Sequence, residues 1–272
     1  AVVLAAGAGS RLAPLSERQP KALCPVGNRP LIDLALQRLA GVTDAVAVNL
    51  HHGAAEIRTH LEASGTLGRA VHVSHEESEA LGTAGALGAL RGWLDGRDVL
   101  VVNADTWAPG SLAGILLGWD RERPRVLVHG ADDFGPSAAI AGCVLPWAEV
   151  ARLAPVPSGL YEVVWGRRAE EGRLEVLRHD GPFVDCGTPA DYLAANRAAA
   201  SLAGGQIIDA SAVLEGPVIG ACVVGAGARV AGRIEDSVVW PGVHLPPGRD
   251  LHSEVAASPD LIVGPLPPSV WG

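Results

Sequence analysis

Short runs of aliphatic and β-branched residues alternate with segments of helical spacing through most of this chain of 272 residues. Most of these runs are continuously apolar, which predicts strands buried on both faces. The intervening segments carry leucines three or four residues apart, as on one face of a helix. We therefore predict an α/β fold with a Rossmann-like, mostly parallel sheet covered by helices. The predicted strands span residues 2–4, 45–49, 70–74, 99–103 and 126–129, and the predicted helices lie within 31–39, 57–61, 85–94, 112–117 and 191–202.

From Gln206 onward the helical period is lost, and Val218, Val224 and Val230 recur every six residues with glycines between them. This spacing predicts a short left-handed parallel β-helix, in which each flat face directs one aliphatic side chain inward and the tight corners need small residues. The alternative is a Gly-rich linker with chance valines. Continued aliphatic residues downstream favour the β-helix: Ile234, Val239 and Val243.

These two patterns divide the chain into a predicted catalytic domain over residues 1–204 and a hexapeptide-repeat β-helix with a tail over residues 205–272. The net charge of −9 argues against a nucleic-acid or membrane-surface partner and favours a small molecule. The sequence contains no apolar run of about 18 residues, so it predicts no membrane-spanning helix. The four cysteines form no CxxC pair and no zinc pattern, so we expect reduced thiols in a cytoplasmic protein.

The first predicted strand leads into a loop of very small residues, Gly7-Ala8-Gly9-Ser10-Arg11. Glycines allow backbone N–H groups to come close to an anion, and a guanidinium can neutralise phosphate oxygens. By itself a GxG sequence is a weak signal. Ten residues further along stands Lys21, the only lysine among twenty arginines, which indicates a position that needs a compact ammonium charge.

The continuation of this loop carries the specific signal. The segment GAGSRLAPLSERQPKALCPVGNRPLI closely resembles the opening of the sugar-1-phosphate nucleotidyltransferase family, roughly GxGxRLxPLTxxxPKxLxPVxxxPLI, with Ser16 in place of the usual Thr. Further resemblances follow in the family's order: Asn49-Leu50-His51-His52, Ser74-His75-Glu76-Glu77, Leu81-Gly82-Thr83-Ala84-Gly85, Val102-Asn103-Ala104-Asp105 and Phe183-Val184-Asp185-Cys186-Gly187-Thr188-Pro189.

The resemblance implies a GT-A-like nucleotidyltransferase domain followed by a left-handed β-helix, with Mg²⁺ held by Asp105 and Asp185. A sugar-1-phosphate oxygen would attack the α-phosphorus of a nucleoside triphosphate and release pyrophosphate. Two carboxylates at strand ends suit this chemistry, because Mg²⁺ takes few protein ligands and keeps positions for phosphate oxygens. Alone, each aspartate would more often be a turn or capping residue.

The resemblance also implies a role for each site residue. Arg11, Lys21 and Asp105 are the expected catalytic residues. The nucleotide-binding residues are expected to be Leu4, Ala5, Ala6, Gly7, Ala8, Gly9, Ser10, Arg11, Glu79, Gly82 and Thr83. The sugar-phosphate-binding residues are expected to be Lys21, Asn103, Asp105, Gly142 and Asp185.

The chain departs from the family between His129 and Leu145. The family often has a Glu-Lys-Pro segment there, whose lysine reaches the sugar phosphate, whereas this chain has Ala131-Asp132-Asp133-Phe134-Gly135-Pro136 and no later lysine. Either an arginine such as Arg167 or Arg168 substitutes, or the loop is reduced, or residues are missing from the sequence.

Several functions stay open at this point. The run SHEE followed closely by LGTAG resembles the mannose-1-phosphate enzymes of the family, which favours guanylyl transfer to mannose-1-phosphate or a related sugar phosphate. Uridylyl, adenylyl or thymidylyl transfer are alternatives. A non-catalytic homologue that binds nucleotide-sugars is a second class, which the intact Arg11, Lys21, Asp105 and Asp185 argue against. Acyl transfer by the hexad region would need a histidine such as His244 or His252 and longer coils. We expect the β-helix to be structural and to pair subunits of a homo-oligomer.

Overall fold

The computed structural model describes residues 1–63, 71–130 and 134–269 of the chain. These residues form two compact units. The first unit comprises Ala1–Ala8 and Ile32–Phe183, and the second comprises Gly9–Leu31 and Val184–Gly272. The glycine-rich loop after the first strand is thus shared, since its first two residues belong to the first unit and the rest to the second. The division at residues 204 and 205 stays a prediction.

Within residues 1–63, 71–130 and 134–202, eleven strands and eight α-helices are formed. The strands are β1 (Val2–Leu4), β2 (Pro25–Val26), β3 (Arg29–Pro30), β4 (Val46–Leu50), β5 (Val71–His75), β6 (Val99–Asn103), β7 (Thr106–Trp107), β8 (Arg125–His129), β9 (Ile140–Leu145), β10 (Glu175–His179) and β11 (Val184–Asp185). The helices are α1 (Leu15–Arg18), α2 (Leu31–Arg38), α3 (Ala54–Ala63), α4 (Gly82–Ala89), α5 (Arg91–Leu94), α6 (Trp147–Val150), α7 (Gly166–Glu170) and α8 (Pro189–Leu202).

A seven-stranded sheet in the order β10-β8-β9-β6-β1-β4-β5 forms the centre of the first unit. All neighbours pair in parallel except at β9, which runs antiparallel to both β6 and β8. The prediction of a mostly parallel α/β sheet is therefore confirmed. The core packs strand residues against helices α4 and α5, as the fully buried Val2, Ala47, Leu87 and Val99 illustrate.

The five predicted strands are present with ends that agree to within one residue, although Ala70, the first residue of one of them, lies outside the described residues. Two strands of the sheet were not predicted. Strand β9 is an apolar run, Ile140–Leu145, but it contains Gly and Ala and begins after a Pro- and Ser-containing segment that reads as a loop. Strand β10 is a half-buried edge strand with charged residues and gives no continuous apolar run.

The helical predictions are less accurate in detail. The predicted helix over residues 85–94 is divided at Leu90 into two helices, α4 and α5. Leu90 ends the first helix and precedes the first residue of the second. The segment 112–117 forms only a 3-10 helix, Ala113–Leu116. The last long helix starts at Pro189, two residues before the predicted position, because Thr188 and Asp191 form a capping box.

The C-terminal part of the second unit is built from short strands in three ladders of parallel neighbours. The ladders follow the orders β12-β15-β18-β20, β13-β16 and β14-β17-β19, and β21 closes the first one in the antiparallel direction. The strands are β12 (Gln206–Ile208), β13 (Val213–Leu214), β14 (Val218–Ile219), β15 (Cys222–Val224), β16 (Arg229–Val230), β17 (Ile234–Glu235), β18 (Val238–Val239), β19 (Leu251–His252), β20 (Val255–Ala256) and β21 (Ile262–Val263).

The three hexad valines lie on three different ladders. Val218 belongs to β14, Val224 to β15 and Val230 to β16. Val224 and Val230 are buried, and so are the aliphatic residues that continue the pattern: Ile234, Val239 and Val243. The six-residue period therefore places one valine on each of the three ladders.

All four cysteines are free and buried, as expected for thiols that take no part in disulfides. Among the helices of the described residues, none combines the length and the apolar character needed to cross a bilayer.

Candidate functional site

Three strands of the first unit end side by side at the edge where the predicted nucleotide loop begins. Leu4 of β1 pairs with Asn49 of β4 on one side and with Asn103 of β6 on the other. In open α/β sheets, ligands bind outside the carboxyl ends of the strands. The predicted residues Leu4, Ala5 and Asn103 therefore lie at the ligand-binding edge of the sheet.

A buried polar network connects this strand edge to the loop before α4. The Oδ1 of Asn49 accepts from the backbone N–H of Ala5 at 2.9 Å, and its Nδ2 donates to Oε1 of Glu76 at 2.8 Å. The other carboxylate oxygen of Glu76 accepts from the N–H of Leu81 at 2.8 Å. Glu76 is only 4% exposed. The side chains of Asn49 and Glu76 together thus connect Ala5 with Leu81, in two segments expected to contact the nucleotide.

Asn49 and Glu76 were not among the predicted site residues, although both stand in motifs that the resemblance singled out. A signal was available, since a glutamate in a run that leads into a Gly-Thr helix start can cap that start. His51, in the same motif as Asn49, donates from Nδ1 to the carbonyl oxygen of Glu76 at 2.7 Å. It contributes to the same network.

The start of α4 is shaped by glycine. Gly82 has φ +69, and a Cβ there would lie 2.6 Å from the carbonyl oxygen of Ser158. The N–H of Ala84 donates to that same oxygen at 3.0 Å, and Oγ1 of Thr83 accepts from the N–H of Leu160 at 2.8 Å. Gly82 and Thr83 thus hold the segment around Ser158 against the helix, which is a structural role beside the predicted nucleotide contact.

Two more glycines of α4 allow the same close approach. A Cβ at Gly85 would lie 2.2 Å from the carbonyl oxygen of Val156, and one at Gly88 would lie 2.4 Å from that of Ala154. The segment 154–158 therefore packs directly on the helix backbone. Glu79, predicted to contact the base, is exposed in the loop that precedes the helix.

The remaining predicted residues of the first unit lie near the ends of β6 and within β9. Asp105 is half-buried in the turn between β6 and β7, next to Ala104, whose N–H donates to the carbonyl oxygen of Leu4 at 2.9 Å. Gly142 lies on β9, where a Cβ would meet the side chain of Leu112 at 3.2 Å. Gly142 is thus needed at least for packing.

The arginines considered as substitutes for the family's second lysine are engaged in ion pairs. Arg168 is 6% exposed and lies 2.6 Å from Glu149 and 2.5 Å from Glu171. Arg167 lies 2.7 Å from Glu171. Residues 131–133, which stand where that lysine would be expected, lie outside the described residues.

In the second unit, two cations converge on one carboxylate. Nζ of Lys21 lies 3.7 Å from Oδ1 of Asp185, and Nη2 of Arg11 lies 3.9 Å from Oδ2 of the same residue. Lys21 is 7% exposed, whereas Arg11 is 73% exposed and Asp185 is 37% exposed. Three of the predicted residues are thus brought together, with a buried ammonium and a solvent-accessible guanidinium on opposite oxygens of one carboxylate.

Glycines make room for both cations. Gly9 has φ +65, and a Cβ there would lie 2.9 Å from Cβ of Lys21. A Cβ at Gly187 would lie 3.3 Å from Nη2 of Arg11. Gly9 therefore serves the packing of the lysine, beside any contact with an anion. A Cβ on Gly7, in the first unit, would meet no atom within 4 Å. Packing among the described residues therefore does not require a glycine at this position.

The chain that follows Lys21 is held by helix α8. The hydroxyl of Tyr192 donates to the carbonyl oxygen of Pro25, and Oδ1 of Asn196 accepts from the N–H of Gly27 at 3.0 Å. The indole N–H of Trp240 donates to the hydroxyl oxygen of Tyr192 at 2.9 Å. A series of buried hydrogen bonds thus connects Trp240, which follows strand β18, to the segment after Lys21.

Cys24, three residues after Lys21, stays a neutral thiol. Burial raises its pKa to about 12, and the nearby charge of Lys21 only partly offsets this. A thiol with such a pKa is a poor nucleophile at neutral pH, so Cys24 serves as a small core residue.

Carboxylates are the protein groups available for a metal. Within residues 1–63, 71–130 and 134–269, no three His, Cys, Asp or Glu side chains gather into a group that would hold an ion. Mg²⁺ usually takes one or two carboxylates and completes its shell with phosphate oxygens and water. The hard oxygen donors of Asp105 and Asp185 are of the type that Mg²⁺ prefers.

Comparisons with known proteins agree with the motifs. The family model described as nucleotidyl transferase matches residues 1–116. N-acetylmuramate α-1-phosphate uridylyltransferase of Caulobacter vibrioides is 30% identical over 228 residues, which cover 72% of this chain and 94% of that protein. The mannose-1-phosphate guanylyltransferase catalytic subunit beta of Danio rerio is 25% identical over 225 residues, covering 71% of this chain and 62% of that protein.

A solved structure from Bacillus anthracis, assigned as a glucose-1-phosphate thymidylyltransferase, superposes with a TM-score of 0.64 at 19% identity. The match covers 73% of this chain and 94% of the other, and it supports the fold. The resemblance predicted from the GAGSRL and PKAL segments is confirmed by the Caulobacter relative, which the chain covers almost completely. This chain belongs to the nucleotidyl transferase family.

Proposed function

We propose that this chain transfers a nucleotidyl group from a nucleoside triphosphate to a sugar-1-phosphate. An oxygen of the sugar phosphate attacks the α-phosphorus, the bond from that phosphorus to the bridging oxygen breaks, and pyrophosphate leaves. The observation that carries the proposal is the convergence of Lys21 and Arg11 on Asp185 in the second unit. Transfer at phosphorus depends mainly on positioning and charge neutralisation, which two clustered cations supply.

Each cation has a separate role in the proposal. Arg11, which is exposed and forked, binds the pyrophosphate that leaves. Lys21, which is buried and compact, contacts the α-phosphate or the incoming sugar phosphate as a point charge. Its Nζ lies 3.7 Å from Oδ1 of Asp185, so the ammonium is placed beside a carboxylate proposed to hold the metal.

Mg²⁺ belongs to this proposal, with Asp105 and Asp185 as its carboxylate ligands. When bound, the ion would neutralise charge on the phosphate oxygens during transfer. The test is removal by a chelator followed by addition of Mg²⁺, with Asp105→Asn and the exposed Asp95→Asn as a matched pair. The first variant should lose turnover while keeping its fold. Near-normal turnover in Asp105→Asn would remove that residue from the metal site.

The nucleotide and sugar are proposed from the relatives. Uridylyl transfer to N-acetylmuramate 1-phosphate is the first candidate, because the Caulobacter protein of that name aligns with the chain over 94% of its length. Guanylyl transfer to mannose-1-phosphate is the second, favoured by the close spacing of SHEE and LGTAG and by the Danio relative. Glu76 of the first motif holds the second motif in place by accepting a hydrogen bond from the N–H of Leu81.

The deciding experiment measures pyrophosphate release with each nucleoside triphosphate and a panel of sugar-1-phosphates, always with Mg²⁺. Release should need both substrates and be fastest with UTP and N-acetylmuramate 1-phosphate. Fastest release with GTP and mannose-1-phosphate would select the second candidate. Absence of release across the whole panel would reject the enzymatic function in favour of a nucleotide-sugar-binding homologue.

The C-terminal ladders are proposed to be a short left-handed β-helix that pairs subunits of a homo-oligomer. The recurrence of hexad valines on three successive ladders supports this interpretation. Four free cysteines fit the cytoplasmic location that belongs to the same proposal. Analytical ultracentrifugation of the full chain tests the assembly, and a sedimentation coefficient of a monomer would reject it.

A further inference from the structure

The segment that carries Lys21 belongs to the same compact unit as the C-terminal ladders. The second unit comprises Gly9–Leu31 together with Val184–Gly272. The proposed reaction assigns no chemical role to the ladders. Because Lys21 and the ladders share one unit, contacts from the ladders can fix where the ammonium lies.

Two strands of the first ladder, β12 and β15, contact the hairpin of β2 and β3 that follows Lys21. Its turn is formed by Gly27 and Asn28, which both have a positive φ, as a tight two-residue hairpin turn requires. Nδ2 of Asn28 donates to the carbonyl oxygen of Val224 in β15 at 2.8 Å. A Cβ on Gly27 would lie 3.2 Å from Cδ1 of Ile207 in β12. The turn of the hairpin therefore packs on the first ladder.

Trp240 is connected to the same hairpin through Tyr192. It directly follows β18, a third strand of the first ladder, and its indole N–H donates to the hydroxyl oxygen of Tyr192 at 2.9 Å. That hydroxyl donates to the carbonyl oxygen of Pro25 in β2. Burial raises the pKa of Tyr192 well above its ordinary value, so the hydroxyl keeps its proton. A tyrosine hydroxyl has one proton to donate, and the bond accepted from Trp240 leaves that proton directed at Pro25.

Helix α8 connects the hairpin to the carboxylate that faces the lysine. Strand β11 ends at Asp185, and α8 begins shortly after it. Besides Tyr192, the helix carries Asn196, whose Oδ1 accepts from the N–H of Gly27 at 3.0 Å. The helix is therefore linked at its start to Asp185 and along its length to the hairpin that follows Lys21. The distance of 3.7 Å between Lys21 and Asp185 depends on how these elements are held together.

We propose that Trp240 is a positioning residue, which places the ammonium of Lys21 through Tyr192 and the hairpin of β2 and β3. This inference rests on the proposed function and gives the ladders a part in turnover, besides the proposed pairing of subunits. Transfer at phosphorus depends on accurate placement of charge, and a displacement of about 1 Å can cost a large part of the rate. Without the indole N–H, the hydroxyl of Tyr192 loses the donor that directs its proton.

The test compares kcat and KM of the full-length wild type, Trp240→Phe and Ser237→Ala, with Mg²⁺ and the substrate pair that releases pyrophosphate fastest. Trp240→Phe removes the N–H and keeps an aromatic ring. It should lower kcat by about 3- to 30-fold, the range expected for a lost buried hydrogen bond. KM for the nucleoside triphosphate should stay unchanged, because the lysine acts mainly on the transition state.

Ser237→Ala is the matched control within the ladders. Ser237 is fully buried, donates to the carbonyl oxygen of Glu235 at 2.6 Å and accepts from the N–H of Glu254 at 3.0 Å. Alanine there should lower the melting temperature and leave kcat of the folded protein unchanged. Equal losses of kcat in Ser237→Ala and Trp240→Phe would mean that any weakening of the ladders lowers turnover, and would reject a specific role of Trp240.

Asn28→Gly loosens the hairpin from a different strand of the ladder. Glycine adopts a positive φ without strain, and the carbonyl oxygen of Val224 still accepts from the N–H of Asp209 at 2.9 Å. The ladders therefore lose little, whereas the hairpin loses its bond to β15. This variant should lower kcat in the same direction as Trp240→Phe, and it takes the place of that variant below if Trp240→Phe does not fold.

A double-mutant cycle with Lys21→Arg decides whether the effect passes through the lysine. Trp240→Phe should lower kcat much less in the Lys21→Arg background than in the wild type, because the charge is already misplaced there. Additive effects, or an unchanged kcat in Trp240→Phe, would limit Trp240 to support of the fold and leave the proposed function standing. A wild type that turns over no sugar phosphate would reject both.

Discussion

The ammonium of the single lysine, Lys21, lies 3.7 Å from a carboxylate oxygen of Asp185, a residue far away in the sequence. Lys21 is buried, whereas Asp185 is accessible to solvent. The buried ammonium therefore faces a partly exposed carboxylate. Arg11 approaches the other oxygen of the same carboxylate at 3.9 Å. This arrangement joins the first and last motifs that the sequence singled out.

Replacing Lys21 by arginine should lower kcat by about 10- to 100-fold, because the enclosed position fits a compact ammonium and a misplaced charge loses transition-state stabilisation. Lys21 is only 7% exposed, so a planar guanidinium at this position would find little room. Steady-state kinetics of Lys21→Arg measure the effect, and the exposed Arg18→Lys is the control. Equal rates for wild type and Lys21→Arg would mean that the isolation of this lysine is an accident of composition.

Substituting Gly82 by alanine should destabilise the protein by about 1–3 kcal/mol, because the new Cβ would combine a left-handed backbone with a clash against a carbonyl oxygen. Gly92, in helix α5, has open space around its would-be Cβ. Alanine there should be neutral or stabilising by up to about 1 kcal/mol. Urea unfolding of both variants gives the comparison. Similar free energies of unfolding for the two would contradict the packing described for the segment around Ser158.

The Glu76→Gln variant should lose about 1–3 kcal/mol of folding free energy and raise KM for the nucleotide, since the amide group of glutamine would face one of two N–H donors. The matched control is Glu56→Gln, an exposed position on α3 where the change should stay within about 0.5 kcal/mol. Unfolding curves and nucleotide titrations test both effects. An unchanged KM in a folded Glu76→Gln protein would limit the Asn49–Glu76 network to a structural role.

Stability should decrease with pH above about 9. The ordinary thiol pKa is 9.0, and burial raises that of Cys24 to about 12, with Cys143 and Cys222 also raised by burial. Between these values the folded state keeps protons that the unfolded state has lost, so each such thiol lowers the free energy of unfolding by about 1.4 kcal/mol per pH unit. Urea unfolding at pH 8, 9 and 10 measures the slope. Cys24→Ala should have a shallower slope, and an identical slope would refute the assignment to Cys24.

Much of the fold was predictable because the pattern that specifies it is local. Mainly aliphatic runs predicted β1, β4, β6 and β8 to within a residue, since strands buried on both faces need no polar residue in between. The β-branched valines of β5 predicted that edge strand equally well. Strands β9 and β10 were not predicted. The first follows a loop-like segment and the second lies half-buried at the sheet edge, so their partners in the sheet determine them more than their composition does.

The site was predictable in its parts and not in its connections. The motifs with Gly, Arg and Lys residues and the later aspartates indicated which side chains to propose for the phosphates and the metal. That Lys21 and Arg11 meet on the two oxygens of Asp185 depends on distant segments folding together. The same holds for Asn49 and Glu76, whose buried hydrogen bonds are visible only once Ala5 and Leu81 are in place.

The sequence by itself determined five of the seven strands of the large sheet, the hexad period of the C-terminal region and the family to which the chain belongs. These follow from local periodicity and from motifs that keep their order. The tertiary structure alone decided which polar groups are buried together. Burial and pairing are properties of residues far apart in the chain, and this is why the network around Glu76 emerges only from the folded protein.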